Sequence, residues 1–374
     1  MYTESDLVRI AKRENNRKRN YLVVNPLQGK HIPVSPGKAL QVFSELAGLL
    51  GAYKDERLLV VGFAETATAI GAQLAVELGA DYIQTTREEL PGVEYLYFSE
   101  EHSHATEQRL VKNDLDRSID KIDRIIFAED EVTTGKTILN LITVLEQNYG
   151  RKIKFAVASL LNGMPEDSME AFAGRGIGIY YLVKIQHDRY PETADRAVED
   201  GIYHQEDVTG GEYTARFEFE GRLDTRRLTN MARYKDACGI FFDELRRHLP
   251  LEGCKRLLVL GTEEFMFPGL YVGKCLEERG YSVKFHATTR SPISVGSSEE
   301  YPLHERYALS SLYEDGRKIF VYDIGSYDAV IVIMEAQTAV QEGCKGELTL
   351  LNALRKRNEK VYLVRWRTKA NREV

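Results

Sequence analysis

The chain has 374 residues, 43% of them apolar and 29% charged, a composition that excludes disordered and fibrous classes. Its net charge of −7 argues against broad nucleic-acid binding, which draws on a basic face. No apolar run approaches the roughly 18–20 residues that span a bilayer, and the opening MYTESDLVRI lacks the apolar core of a signal peptide, so the cytoplasm is the expected compartment and no membrane partner is expected.

At roughly 100–200 residues per domain, the length suggests two domains. The four cysteines, Cys238, Cys254, Cys275 and Cys344, form no CxxC pair and have no histidines at zinc-ligand spacing, so they are read as reduced thiols.

In chain order, the first feature is a basic stretch, Arg9, Lys12, Arg13, Arg17, Lys18 and Arg19 against a lone Glu14. It is read as a solvated helix, with an arm reaching for phosphate as the alternative. Then come LLVVG at residues 58–62 as a strand, ATAIGAQLAVELG as a helix, DYIQTT as a strand, RIIFA as a strand, a helix from Thr137 and KFAVASLL as a strand. This alternation is the rhythm of an α/β fold, a mostly parallel sheet flanked by helices. Asp, Glu, Gly and Pro cluster between Asp188 and Tyr213, the mark of a connecting region.

The second half repeats the first. Arg57-Leu-Leu-Val-Val-Gly62 matches Arg256-Leu-Leu-Val-Leu-Gly261, Thr85-Thr86-Arg87 matches Thr288-Thr289-Arg290, and Thr137-Ile-Leu-Asn140 matches Thr349-Leu-Leu-Asn352, in one order. The segment from Ser99 pairs loosely with that from Ser297. Ordered matches point to an internal duplication, and the expected domains are residues 1–205 and 206–374.

The segment IIFAEDEVTTGKT, residues 125–137, carries the most chemistry. A buried strand leads through Glu129, Asp130 and Glu131 into Val132, Thr133, Thr134, Gly135, Lys136 and Thr137, where a helix begins. Unpaired N–H groups at a helix N-terminus suit a phosphate, Gly135 allows close approach, and the three threonines offer hydroxyls. Glu129 and Asp130 suit a ribose, whose hydroxyls they accept and whose developing positive charge they stabilise. A Walker A loop is excluded, because Asp130 stands where that motif needs glycine. An ordinary strand end and helix cap is the remaining alternative.

An apolar strand, two acids and a threonine-rich turn with glycine resemble the signature of type I phosphoribosyltransferases, which usually have Val or Ile where this chain has Glu131. The resemblance implies a transferase that moves ribose 5-phosphate from phosphoribosyl pyrophosphate to a nucleobase-like acceptor, releasing pyrophosphate. Residues Val132 to Thr137 would bind phosphate, and Glu129 and Asp130 would be catalytic. Phe63, Ala64, Glu65, Thr66 and Arg87 would bind pyrophosphate, although residues 62–66 also read as an ordinary strand–helix turn. His102 and His104 would lie on a mobile loop that closes over the site, with an exposed polar hairpin as the alternative. Lys30 and His31 would read the acceptor. Mg2+ is implied through pyrophosphate and ribose oxygens rather than through a protein cage, and a homodimer is a further implied partner.

Thr289, Arg290, Ser291 and Pro292 match the motif that names the TRSP domain attached to phosphoribosyltransferases of tellurium-resistance-type gene clusters. That two-part resemblance, orotate phosphoribosyltransferase-like in its first part, implies a nucleoside-like metabolite pathway shared with ligases and a phosphatase. The second half has Glu335-Ala336-Gln337 in place of the acid pair and threonine turn, so it reads as degenerate. Arg290 either binds a phosphate or carboxylate or stabilises an interdomain contact. Two other functions stay open at this level, a regulator that binds without turnover and a ribose-phosphate hydrolase or phosphorylase.

Overall fold

Leu58–Gly62 is buried along its whole length, as a strand covered by helices on both faces must be. In the computed structural model, which describes residues 1–14, 16, 19–99, 107–150, 153–336 and 344–369, it lies within a six-stranded sheet. The order is Thr229–Asn230, Asp81–Gln84, Leu58–Gly62, Arg124–Val132, Lys154–Asn162 and Gly178–Lys184. All neighbours are parallel except the short edge strand Thr229–Asn230.

Parallel neighbours need crossovers, and the helices Thr68–Leu78 and Lys136–Tyr149 provide two of them. The first packs tightly: a Cβ on Gly71 would stand 2.9 Å from the Cα of Gly62. Only glycine permits that approach of helix to strand. The second is amphipathic, burying Ile138, Leu141, Ile142 and Leu145, spaced to fall on one face.

A second sheet has five parallel strands in the order Ala215–Glu220, Val361–Arg367, Ala329–Ala336, Arg256–Gly261 and Ser282–Ala287. Its last four repeat, in topology, four strands of the first sheet, and each half adds an antiparallel pair after its second core strand, Tyr95–Ser99 with Glu107–Val111 and Glu305–Ser310 with Lys318–Tyr322. The duplication read from short matches therefore extends to strand order. One detail differs: Thr137 to Asn140 opens its helix, whereas Thr349 to Asn352 lies within Lys345–Arg355.

The chain forms two compact units. The first gathers Met1–Glu4, Leu40–Gln186 and Leu223–Asp236, and the second Ser5–Ala39, His187–Arg222 and Ala237–Val374. These units are not the contiguous halves expected from the sequence. Val34 bridges to Phe285 and Arg13 to Ile293, which ties the N-terminal segment to the second unit, while Thr229 pairs with Tyr82 in the first. The polar region 188–213 also carries structure, a helix Tyr190–Asp195 and a strand Ile202–His204.

The basic stretch expected to be helical is instead a strand, Arg9–Lys12, antiparallel to Tyr21–Val24. The ladder itself makes the strand: Arg9 pairs with Val24, Ile10 with Val23, Ala11 with Leu22 and Lys12 with Tyr21, and Ala11 is buried while Arg9 is exposed. Arg17 and Lys18 lie outside the described residues. Among the described residues no helix is long and apolar enough to cross a membrane.

Phe127 is fully buried and meets the rings of Phe63 and Phe155 at centroid distances of 6.2 and 5.9 Å. Phe127→Ala should destabilise the protein by about 3–5 kcal/mol, measured by urea denaturation. A loss below about 1 kcal/mol would contradict this packing.

Candidate active site

Arg124–Val132 begins as a core strand and becomes half-buried at Glu129, Asp130 and Glu131. Strand alternation sends Glu129 and Glu131 to one face and Asp130 to the other. Glu129 and Glu131 line a pocket together with Val132, Thr133, Thr134, Gly135, Lys136, Thr137 and Ile138. The whole segment expected to bind phosphate is thus gathered at the start of the helix Lys136–Tyr149, with one acid of the expected pair.

Gly135 makes the turn possible. Its φ is +76°, a left-handed conformation that favours glycine, and a Cβ there would stand 2.7 Å from the Phe172 ring. The chain can then enter the helix, whose first residues Lys136, Thr137 and Ile138 line the pocket. Some donors are used locally: Lys136 N–H lies 3.3 Å from Thr134 Oγ1, and Leu139 N–H donates to Gly135 O at 3.0 Å.

Asp130 faces the other loop. Its Oδ1 accepts a hydrogen bond from Thr66 Oγ1 at 2.9 Å, so the segment Phe63, Ala64, Glu65 and Thr66 is joined to the acid pair. Withdrawal from water, then the like charge of Glu131, pushes the Asp130 carboxyl above its ordinary range, while the Thr66 hydroxyl opposes the rise. The result is a carboxylate held at an energetic cost.

The loop after Gly62 is built on side chains from elsewhere. Ala64 N–H donates to Thr85 Oγ1 at 2.9 Å, Thr85 Oγ1 donates to Gln108 Oε1 at 2.5 Å, and Gln108 Nε2 donates to Ala64 O at 2.8 Å. The peptide between Ala64 and Glu65 is cis. Arg87 follows Thr86, whose Oγ1 accepts from Glu88 N–H at 2.9 Å and from Arg226 Nε at 3.2 Å.

Thr85, Gln108 and Arg226 were not expected at the site from the sequence, and Glu131 was noted only as a departure from the family pattern. Glu131 could have been found by extending strand alternation from Glu129. Thr85 was visible only as part of a repeat, and Gln108 and Arg226 carried no local signal, because they reach the site from distant segments. His102 and His104 lie outside the described residues.

The two residues expected to read an acceptor fall in the segment Ser5–Ala39. Lys30 and His31 belong to the second unit and are buried. Lys30 Nζ donates to the carbonyls of Glu263 at 2.8 Å and Thr288 at 3.0 Å. It supports the turn that holds Thr289, Arg290, Ser291 and Pro292, because a buried ammonium must find acceptors.

A family model described as phosphoribosyl transferase matches residues 7–183, and one described as the TRSP domain C-terminal to that transferase matches residues 215–354. The chain belongs to this two-part family. It is accordingly a phosphoribosyltransferase. No match was found among curated proteins.

Solved structures offer weaker likenesses. Adenine phosphoribosyltransferase from Rhodothermus marinus is 17% identical, with 48% of this chain and 96% of that one covered at a TM-score of 0.35. The APRTase from Giardia lamblia complexed with 9-deazaadenine is 18% identical, with 50% and 100% covered and a TM-score of 0.35. Orotate phosphoribosyltransferase from Aeropyrum pernix is 18% identical, with 51% and 94% covered and a TM-score of 0.30.

The raised Asp130 carboxyl has a consequence for stability. Below the ordinary carboxylate range both folded and unfolded forms are protonated and Asp130 costs nothing. As pH rises, the unfolded form ionises first, so stability falls until the folded pKa is passed. Asp130→Asn should therefore raise the melting temperature at pH 8 and leave it unchanged near pH 3. A lower melting temperature at pH 8 would show that the carboxylate stabilises the fold.

Proposed function

We propose that the first unit transfers ribose 5-phosphate from phosphoribosyl pyrophosphate to a nucleobase-like acceptor. The bond between the anomeric carbon and a pyrophosphate oxygen breaks, a bond to an acceptor nitrogen forms with inversion, and the acceptor's proton is released. The observation that carries this reading is the hydrogen bond between Thr66 and Asp130, which joins a candidate pyrophosphate loop to a candidate ribose-phosphate loop.

The roles follow from chemistry. N–H groups and hydroxyls from Val132 to Thr137 take the 5-phosphate, with the helix N-terminus favouring its charge and Lys136 adding a cation. The loop of Phe63, Ala64, Glu65 and Thr66 takes pyrophosphate through the N–H groups of Glu65 and Thr66, because those of Phe63 and Ala64 are donated to Ala128 O and Thr85 Oγ1, with Arg87 adding charge-assisted hydrogen bonds. Glu129 and Asp130 accept from the ribose hydroxyls and stabilise positive charge as pyrophosphate departs.

Among the described residues no cluster of three or more His, Cys, Asp or Glu could hold a metal. Glu129 and Glu131, both lining the pocket, suit the water shell of Mg2+, a hard cation that keeps several waters and binds through few carboxylates. Bound with the donor, it would neutralise pyrophosphate charge. The reading implies a cytoplasmic enzyme, acting as a homodimer beside enzymes that make its acceptor or use its nucleotide product.

The full chain incubated with phosphoribosyl pyrophosphate, Mg2+ and a panel of bases should release pyrophosphate only with its acceptor. Asp130→Asn should slow that release by about 10²–10³-fold, the scale of losing one preorganised electrostatic group. Unchanged turnover in this variant would remove Asp130 from the mechanism.

A further inference from the structure

The repeat extends to individual hydrogen bonds. In the first unit Thr85 N–H donates to Gly62 O at 2.9 Å, and Ala64 N–H to Thr85 Oγ1 at 2.9 Å. In the second, Thr288 N–H donates to Gly261 O at 3.1 Å, and Glu263 N–H to Thr288 Oγ1 at 3.0 Å. Thr86 and Thr289 likewise each pair with the antiparallel strands that follow, at Arg109 and Phe320. Glu263 is therefore the counterpart of Ala64, and Arg290 the counterpart of Arg87.

What differs is the side chain. Glu263 is fully buried, and its φ of 49° lies in the left-handed region. Its Oε2 accepts from Arg290 Nε at 2.9 Å and Arg317 Nη1 at 3.0 Å, and its Oε1 from Ser311 Oγ at 2.6 Å. Two guanidinium groups and a hydroxyl converging on two oxygens form the donor set that binds phosphate in other settings. Here the chain supplies the anion.

We propose that the Glu263 carboxylate occupies, in the second unit, the place that pyrophosphate takes in the first, and that removing it uncovers a site for inorganic pyrophosphate or phosphate. The inference rests on reading residues 63–66 as a pyrophosphate loop. Lys30, Arg290 and Arg317 stand against Glu263, with Glu264 at 3.4 Å from Arg290 and Glu314 paired to Arg317. Removing Glu263 takes away the buried carboxylate that Arg290 and Arg317 share, and removing one partner of a buried ion pair is strongly unfavourable. An anion from solution relieves it.

The test uses the full chain with Glu263→Gly, since glycine accepts the positive φ. Calorimetric titration with inorganic pyrophosphate should show one more site per chain than in the wild type, and Glu263→Gly combined with Arg290→Gln should lose that added site. If Glu263→Gly fails to fold, Glu263→Gln serves: phosphate should raise its melting temperature by more than it raises that of the wild type. No added site and no anion-dependent stabilisation in the variants would overturn the proposal, as would a wild-type site already present at Arg290. Turnover of phosphoribosyl pyrophosphate is measured in parallel. Pyrophosphate release that persists while the added site fails to appear sinks this inference alone, and an added site without any turnover sinks only the first-unit reading.

Discussion

Parallel pairing of Leu58–Gly62 with Arg124–Val132 is the constraint on which the site depends. Its register sets Gly62 beside Ala128, and Phe63 N–H continues the ladder to Ala128 O at 3.2 Å. Both strands then end at the same sheet edge, and each is followed by a helix. Ligands of open α/β sheets bind at such edges because helix N-termini and loop N–H groups gather there. Beyond the ladder, the Thr66–Asp130 hydrogen bond joins the segments that follow the two strands' paired residues.

That geometry concentrates acids where the field of the helix favours anions, and the tension is visible at Asp130, whose carboxyl is pushed upward by withdrawal from water and by Glu131. The second unit has the same strand order without the same tension. Glu335 is bound to the buried Arg222 at 2.9 Å, and the Glu263 carboxylate is held by Arg290 and Arg317. One fold therefore carries two electrostatic solutions. In the first unit Asp130 meets the Thr66 hydroxyl, and in the second Glu335 and Glu263 each meet an arginine.

Much of this was legible in the sequence because it is local. The strands at Leu58 and Arg124 announce themselves as apolar runs, and the turn at Gly135 follows from a residue type that tolerates a positive φ. The repeat was legible because Thr-Thr-Arg recurs after equivalent strands, and its threonines make equivalent hydrogen bonds. What was not legible depends on long-range pairing. The segment that holds Lys30 and His31 is tied to the second unit by bridges such as Val34 to Phe285, a pairing that no local pattern announces. Arg226 reaches Thr86 across an interval of sequence that no short pattern spans, and the strand Arg9–Lys12 is defined by its pairing with Tyr21–Val24 rather than by an alternation of its own residues.

One donor molecule should bridge two adjacent loops of the first unit and leave their counterparts in the second untouched. Amide hydrogen exchange with and without phosphoribosyl pyrophosphate and Mg2+ measures this directly, because bound phosphates slow exchange of the N–H groups that cradle them. Protection should appear together at residues 63–66 and 133–137 and be absent at residues 262–265. Protection confined to one of the first two segments, or appearing at 262–265, would contradict the account.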